Sequence, residues 1–191
     1  MNDSFVHLHV HTEYSLVDST VRIPELVERC AAEKMPAVAL TDQNNLFGLV
    51  KFYKKTIASG VKPIIGVDLR VVNEEDPEQP FTLLLLVQNN GGYRNLSKLI
   101  SRTYLEGQIR GEPMARRAWL TKESCAGLLA LSGGRQGDVG RALVSGNNAL
   151  AVESLQRWLA VFGDRYYLEL IRTERAGEED LIRQSLLLGA K

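Results

Sequence analysis

Hydrophobic and polar positions along this chain switch repeatedly between two periods. Short apolar runs alternate with longer stretches in which apolar residues return every three to four positions. The segment from Phe5 to Asp18, FVHLHVHTEYSLVD, opens the series with period two. As a strand it places Phe5, His7, His9 and His11 on one face and Val6, Leu8 and Val10 on the other. Ile23, Leu26, Val27, Cys30 and Ala31 then follow helical spacing over residues 23–33, after capping candidates at Asp18, Ser19 and Thr20. Residues 37–40 read as a short apolar strand stopped by TDQNN. Residues 46–58 read as a helix that buries Leu46, Leu49, Val50, Tyr53 and Ile57 and leaves Lys51, Lys54 and Lys55 in water.

A third strand is expected over residues 62–72, followed by an acidic, proline-bounded loop at 73–80. The nearly continuous aliphatic run at 81–87 has the composition of a strand covered on both faces in a parallel sheet. A helix from Gly91 carries Tyr93, Leu96, Ile100 and Tyr104 inward, and residues 107–117 lose the pattern in a mobile segment holding Arg110, Arg116 and Arg117. Strands at 128–132 and 166–171 alternate with helices at 137–145, 149–162 and 178–188; the second of these helices buries Val152, Leu155, Leu159 and Phe162.

Alternating strands and helices define βα units and a parallel sheet. Six strands with polar residues at several C-terminal ends fit a (β/α) barrel better than an open sheet. The last helix has no strand to return to, so the barrel is expected to be cut short at its C-terminal end. Leu181, Ile182, Leu186 and Leu187 would then lack part of their cover, and an apolar patch of that kind favours self-association.

Composition narrows the function classes. The 191 residues suffice for one domain with a proper core. With 23 basic and 23 acidic side chains the net charge is zero, so no global field draws the chain to nucleic acid or to an anionic membrane. Arg110, Arg116 and Arg117 form the one local basic cluster, read either as a surface loop or as a nucleic-acid or partner contact. Cys30 and Cys125 are the only cysteines and form no CxxC pair, which disfavours disulfides and zinc knuckles and points to a reducing, cytoplasmic compartment. Neither a signal peptide nor an apolar stretch of bilayer length is present.

The chemistry is concentrated at the start, because all three histidines lie between positions 7 and 11. Two imidazoles two residues apart on one strand can reach one ion, which makes His9 and His11 a metal-ligand pair. His7, farthest from the strand end, is read as a hydrogen-bonded core residue.

HLHVHTEYSLVD followed by ALTDQNNLFGLVKFYKKTIASGVKPIIGVDL resembles the PHP (polymerase and histidinol phosphatase) domain family. Within it the chain resembles the N-terminal PHP domains of bacterial replicative DNA polymerase III alpha subunits. The likeness continues through LLVQNNGGYRNLSKLISRTYLEG, LALSGGRQGDVGRAL and YYLELIRTER, and so covers essentially the whole chain. A lone HxH pair would be weak evidence, whereas the ordered series HxHT, Tyr-Ser, TD, KPIIG, NNxGYxNL and LSGG is specific.

The resemblance implies a distorted (β/α)7 barrel with a metal cluster at the C-terminal ends of its strands. Residues 1–191 would form a single, incomplete PHP domain, with the final strand or strands past Lys191. Active relatives use the cluster to polarise a phosphoester and generate hydroxide. Carried over position by position, the resemblance implies metal ligands at His9, His11, Asp18 and Asp68. Three further ligand positions hold Gln43, Thr82 and Thr173, which are poor ligands, and the family's last Asp-x-His pair lies beyond the chain. The implied site is vestigial, with no catalytic residues and at most a weakly bound Zn, Mn or Mg ion.

The implied parent is a DNA-directed DNA polymerase whose nucleotidyl transfer uses carboxylates elsewhere, and which meets DNA through its other parts. The implied role of this chain is a scaffold that docks the proofreading exonuclease subunit. The alternatives are a metal-dependent PHP phosphoesterase and a residual 3′–5′ exonuclease.

Overall fold

The computed structural model describes residues 5–16 and 18–190. Helix α1 (Ile23–Ala32) has Pro24 in its first turn and buries Ile23, Val27 and Cys30, the stripe its periodicity predicts. Strand β1 (Ala37–Leu40) is buried throughout. With α2 (Leu49–Ala58) these elements enclose a core of Ile23, Val27, Cys30, Val38, Leu40, Phe52 and Val61. The face that α2 buries differs from the expected one. Phe52 and Thr56 point inward, while Val50, Tyr53 and Ile57 are 64%, 53% and 56% exposed. The cause lies one residue upstream. A Cβ on Gly48 would stand 2.9 Å from both Ile23 Cδ1 and Tyr14 Cδ2, so the backbone there sits directly on α1. That approach turns the line 48, 52, 56 toward the core.

Strands β2 (Lys62–Val71) and β3 (Phe81–Val87) pair in antiparallel register, Asp68 opposite Leu84 and Val71 opposite Phe81. Helix α3 (Asn90–Glu106) is capped by the Asn89 side chain, which accepts from Gly92 N. Residues 107–117, expected to be irregular, carry a small hairpin of β4 (Gln108–Ile109) and β5 (Glu112–Pro113). Their arginines do not form one patch: Arg110 pairs with Glu78, and Arg117 turns inward to Asp138 at 3.0 Å.

Strand β6 (Leu128–Leu131) pairs antiparallel with β3 and parallel with β7 (Tyr166–Tyr167), a shorter strand than the sequence suggested. Helices α4 (Asp138–Val144), α5 (Asn148–Phe162) and α6 (Glu178–Gly189) complete the chain. In α5 the buried line is Ala151, Ser154, Trp158 and Phe162, with Leu159 exposed. A buried indole N–H requires an acceptor, and Trp158 Nε1 donates to both Asp138 oxygens at 2.9 and 3.0 Å. That bond sets the rotation of α5, against the purely apolar stripe.

The five-stranded sheet runs β1-β2-β3-β6-β7, parallel at its two outer pairs and antiparallel at the inner two. It is therefore mixed rather than built from parallel βα units alone. The direction of β3 follows from the loop at 73–80, since a parallel crossover needs about a dozen residues or more. β3 is nonetheless covered on both faces: Leu83 and Leu85 join the large core with Val67, Leu128 and Phe162, and Leu84 and Leu86 pack with Ala39. The expected first strand is reduced to one bridge, His7 to Val38, with the backbone continuing beside β1. On α6, Ile182 is buried, while Leu186 and Leu187 are exposed. No helix among the described residues is long and apolar enough to cross a membrane.

Candidate metal centre

Residues 7–11 are held against β1 by the main chain and by one hydroxyl. Ala39 N donates to His7 O at 2.9 Å and Thr41 N to Val10 O at 3.0 Å. Thr41 Oγ1 accepts from Val10 N at 2.7 Å. The next turn hangs on a buried carboxylate: Asp42 accepts from Thr12 N at 2.6 Å, from Thr12 Oγ1 at 2.8 Å and from Ser15 Oγ at 2.7 Å. These bonds bring the His9 and His11 rings to 5.2 Å from each other. β2 delivers Asp68 beneath them.

His9 Nε2 lies 3.4 Å from Asp68 Oδ2 and His11 Nε2 lies 3.0 Å from the same oxygen. The two Nδ1 atoms face other carboxylates, His9 toward Glu169 Oε1 at 2.7 Å and His11 toward Asp18 Oδ2. An ionised carboxylate only accepts, so both Nδ1 positions are N–H donors. A neutral imidazole of that tautomer turns its Nε2 lone pair toward a third carboxylate. The arrangement therefore calls for positive charge between the two Nε2 atoms and Asp68, which protons or a cation can supply.

The protonation tendencies follow from this geometry. Burial alone would lower the pKa of His9, but its hydrogen bonds to Asp68 and Glu169 raise it to about 10. Burial opposes and the bonds to Asp68 and Asp18 outweigh it in raising His11. For Asp68, burial works upward and the two histidines prevail, holding the carboxyl below its ordinary value.

The donor set fits a divalent ion of the borderline class: one ligand atom from each of His9, His11 and Asp68 lies within 4.8 Å of the others. Asp68 Oδ1 and Glu169 Oε2 are buried without a hydrogen-bond partner, and a cation would offset the cost of leaving them so. An ion held there would supply Lewis-acid polarisation of an oxygen ligand.

The other expected ligand positions border the same cavity of about 370 Å³ but stand outside the cluster. Asp18 is exposed and reaches the site through His11 Nδ1. Thr82 donates to Gln136 at 3.4 Å, and Thr173 is held by Glu178 through its N at 2.6 Å and its Oγ1 at 2.5 Å. Gln43 forms a bridge to Asp68 by backbone. His7 lies outside the site, exposed and edge-on to Phe5 at 4.8 Å. Sequence reasoning missed Glu169. Its signal was present, since an acid interrupts the apolar run of YYLELI.

The model of the PHP domain family matches residues 7–173, and the chain belongs to that family. A structure of a presumed metal-dependent phosphoesterase from Bifidobacterium adolescentis shares the fold at a TM-score of 0.58 and 12% identity, covering 96% of this chain and 84% of that one.

Within the family the chain is homologous to DNA polymerase III subunit alpha. It is 47% identical over 192 residues to that protein of Pseudomonas fluorescens, covering 100% of this chain and 16% of the relative. With the Escherichia coli K12 protein it shares 46% identity over 184 residues, covering 96% of this chain and again 16% of the relative. The chain thus spans 16% of the length of these relatives.

Proposed function

We propose that the chain is the PHP module of a replicative DNA polymerase alpha subunit, a cytoplasmic scaffold that docks the proofreading exonuclease subunit and turns over no phosphoester. Its parent meets DNA through other parts. The observation that carries this reading is the make-up of the cluster. Three donors converge, while Gln43, Thr82 and Thr173 bring neutral groups, the two threonines already hydrogen-bonded elsewhere. Hydrolysis by adjacent ions needs further ligands to hold the second one. A single Zn, Mn or Mg ion at His9, His11 and Asp68, with Asp18 behind His11, then serves structure. The isolated chain would self-associate through Leu186 and Leu187.

The docking role is supported by the outward face of α2. Val50, Tyr53 and Ile57 form an apolar stripe, with Phe47 exposed in the turn before the helix and Lys54 on the same face and in no ion pair among the described residues. In the intact alpha subunit, Val50→Asp is expected to weaken capture of the exonuclease subunit by roughly tenfold with melting unchanged. Unaltered capture would remove α2 as the docking face.

A metal-dependent phosphoesterase or 3′–5′ exonuclease is the second reading, favoured by Arg70, Arg135 and Arg175 on the walls of the metal-site cavity. The two separate in one assay. Phosphomonoester and single-stranded DNA substrates with added Zn or Mn are expected to show no turnover above the His9→Ala variant. Turnover that His9→Ala abolishes would establish the second reading.

A further inference from the structure

We propose that Glu169 is a positioning residue of the metal centre. It commits His9 Nδ1 as a donor and thereby turns Nε2 toward Asp68, so that a bound ion fastens the start of the chain to the exit of the last strand. The inference rests on reading His9, His11 and Asp68 as a divalent-ion site.

Glu169 is placed by the sheet and not by its neighbours in sequence. Ser132 N, just past β6, donates to Tyr167 O at 3.0 Å, and Ser132 Oγ accepts from Glu169 N at 2.9 Å. The carboxylate so anchored meets a histidine 160 positions earlier at 2.7 Å. β1 and β7 are the two ends of the strand order, and the segment carrying His9 joins β1 by one bridge. The His9–Glu169 bond therefore spans from one end of the sheet to the other through side chains.

A carboxylate on the far nitrogen of a ligating histidine fixes its tautomer and raises its basicity, and losing it typically weakens metal binding 10- to 100-fold. Asp18 stands in the same relation to His11, but its carboxylate is exposed and water competes for it. The two outer carboxylates are thus unequal, and Glu169 has the larger effect.

The test uses zinc and cobalt(II) on the intact 191-residue chain, with affinity from chelator competition, the cobalt absorption spectrum, and amide exchange at Val10 and Thr41. Zinc is expected to slow exchange at both amides in the unaltered chain. Glu169→Ala should weaken zinc about 10- to 100-fold, alter the cobalt bands and shift the zinc-dependent protection to correspondingly higher zinc concentration. Glu169→Gln keeps an acceptor of the same shape and should fall between, which also covers the case that the alanine variant fails to fold. Asp18→Asn should cost less than Glu169→Gln. Zinc affinity and cobalt bands unchanged in Glu169→Gln, with His9→Ala still defective, would overturn the role of Glu169 and leave the ion site standing. Zinc binding indifferent to His9→Ala would overturn the ion site itself.

Discussion

Replacing Asp42 by Ala is expected to lower the unfolding free energy by about 3–5 kcal/mol, although its side chain hydrogen-bonds none of the histidines. Its carboxylate is buried and takes three donors: Thr12 N, Thr12 Oγ1 and Ser15 Oγ. Hydrogen bonds to a charged group contribute about 1.5–3 kcal/mol each, and each donor left buried without a partner costs about 1–3 kcal/mol. These terms overlap at one site, so their full sum is not reached. At about 2–4 °C per kcal/mol for a chain of this length, the melting temperature should fall by roughly 10 °C or more. The turn after His11 depends on the same bonds, so zinc affinity should drop as well. Asp42→Asn keeps one acceptor oxygen and should be intermediate. Urea unfolding of the three proteins side by side is the measurement, and a loss below 1 kcal/mol in Asp42→Ala would refute the account.

The second large effect comes from adjacent glycines with opposite expectations. A Cβ on Gly92 would lie 1.9 Å from Gly127 O, whereas one on Gly91 meets only Asn89 Oδ1 at 3.1 Å. Gly127 O cannot move aside cheaply, because it also accepts from Gln88 N at 2.9 Å. Gly92→Ala should therefore cost about 3 kcal/mol or more by forcing α3 away from the loop before β6. Gly91→Ala relieves the conformational cost of glycine in a helix but presses on the capping Asn89 Oδ1, so it should stay within about 0.5 kcal/mol of neutral. Denaturant midpoints that fall equally in both variants would show that the close approach at Gly92 does not matter.

Much of the site was legible because its information is local. The HxH spacing places His9 and His11 together wherever the backbone is extended, and KPIIGVD puts Asp68 within a run that reads as a strand. Glu169 was less visible, since nothing nearby in sequence says that YYLELI ends opposite the histidines. The antiparallel direction of β3 was also available, in the eight residues of the loop at 73–80; its apolar composition argued the other way and was outweighed by connection length.

By itself the sequence determined where the six α-helices and the strands β1, β2, β3 and β6 lie, which residues form the α1 stripe, and that imidazole and carboxylate chemistry gathers at one end of the chain. Each of these follows from periodicity or from spacing over a few residues. Only the tertiary structure decided which faces of α2 and α5 turn inward, because a glycine against α1 and an indole that needs Asp138 overrule the apolar stripe. It alone placed Glu169 on His9, tied Thr173 to Glu178, and separated Arg110 from Arg117. For Glu169, Trp158 and Arg117 the physical reason is the same: a polar group taken out of water goes where its partner is, and that partner is distant in sequence.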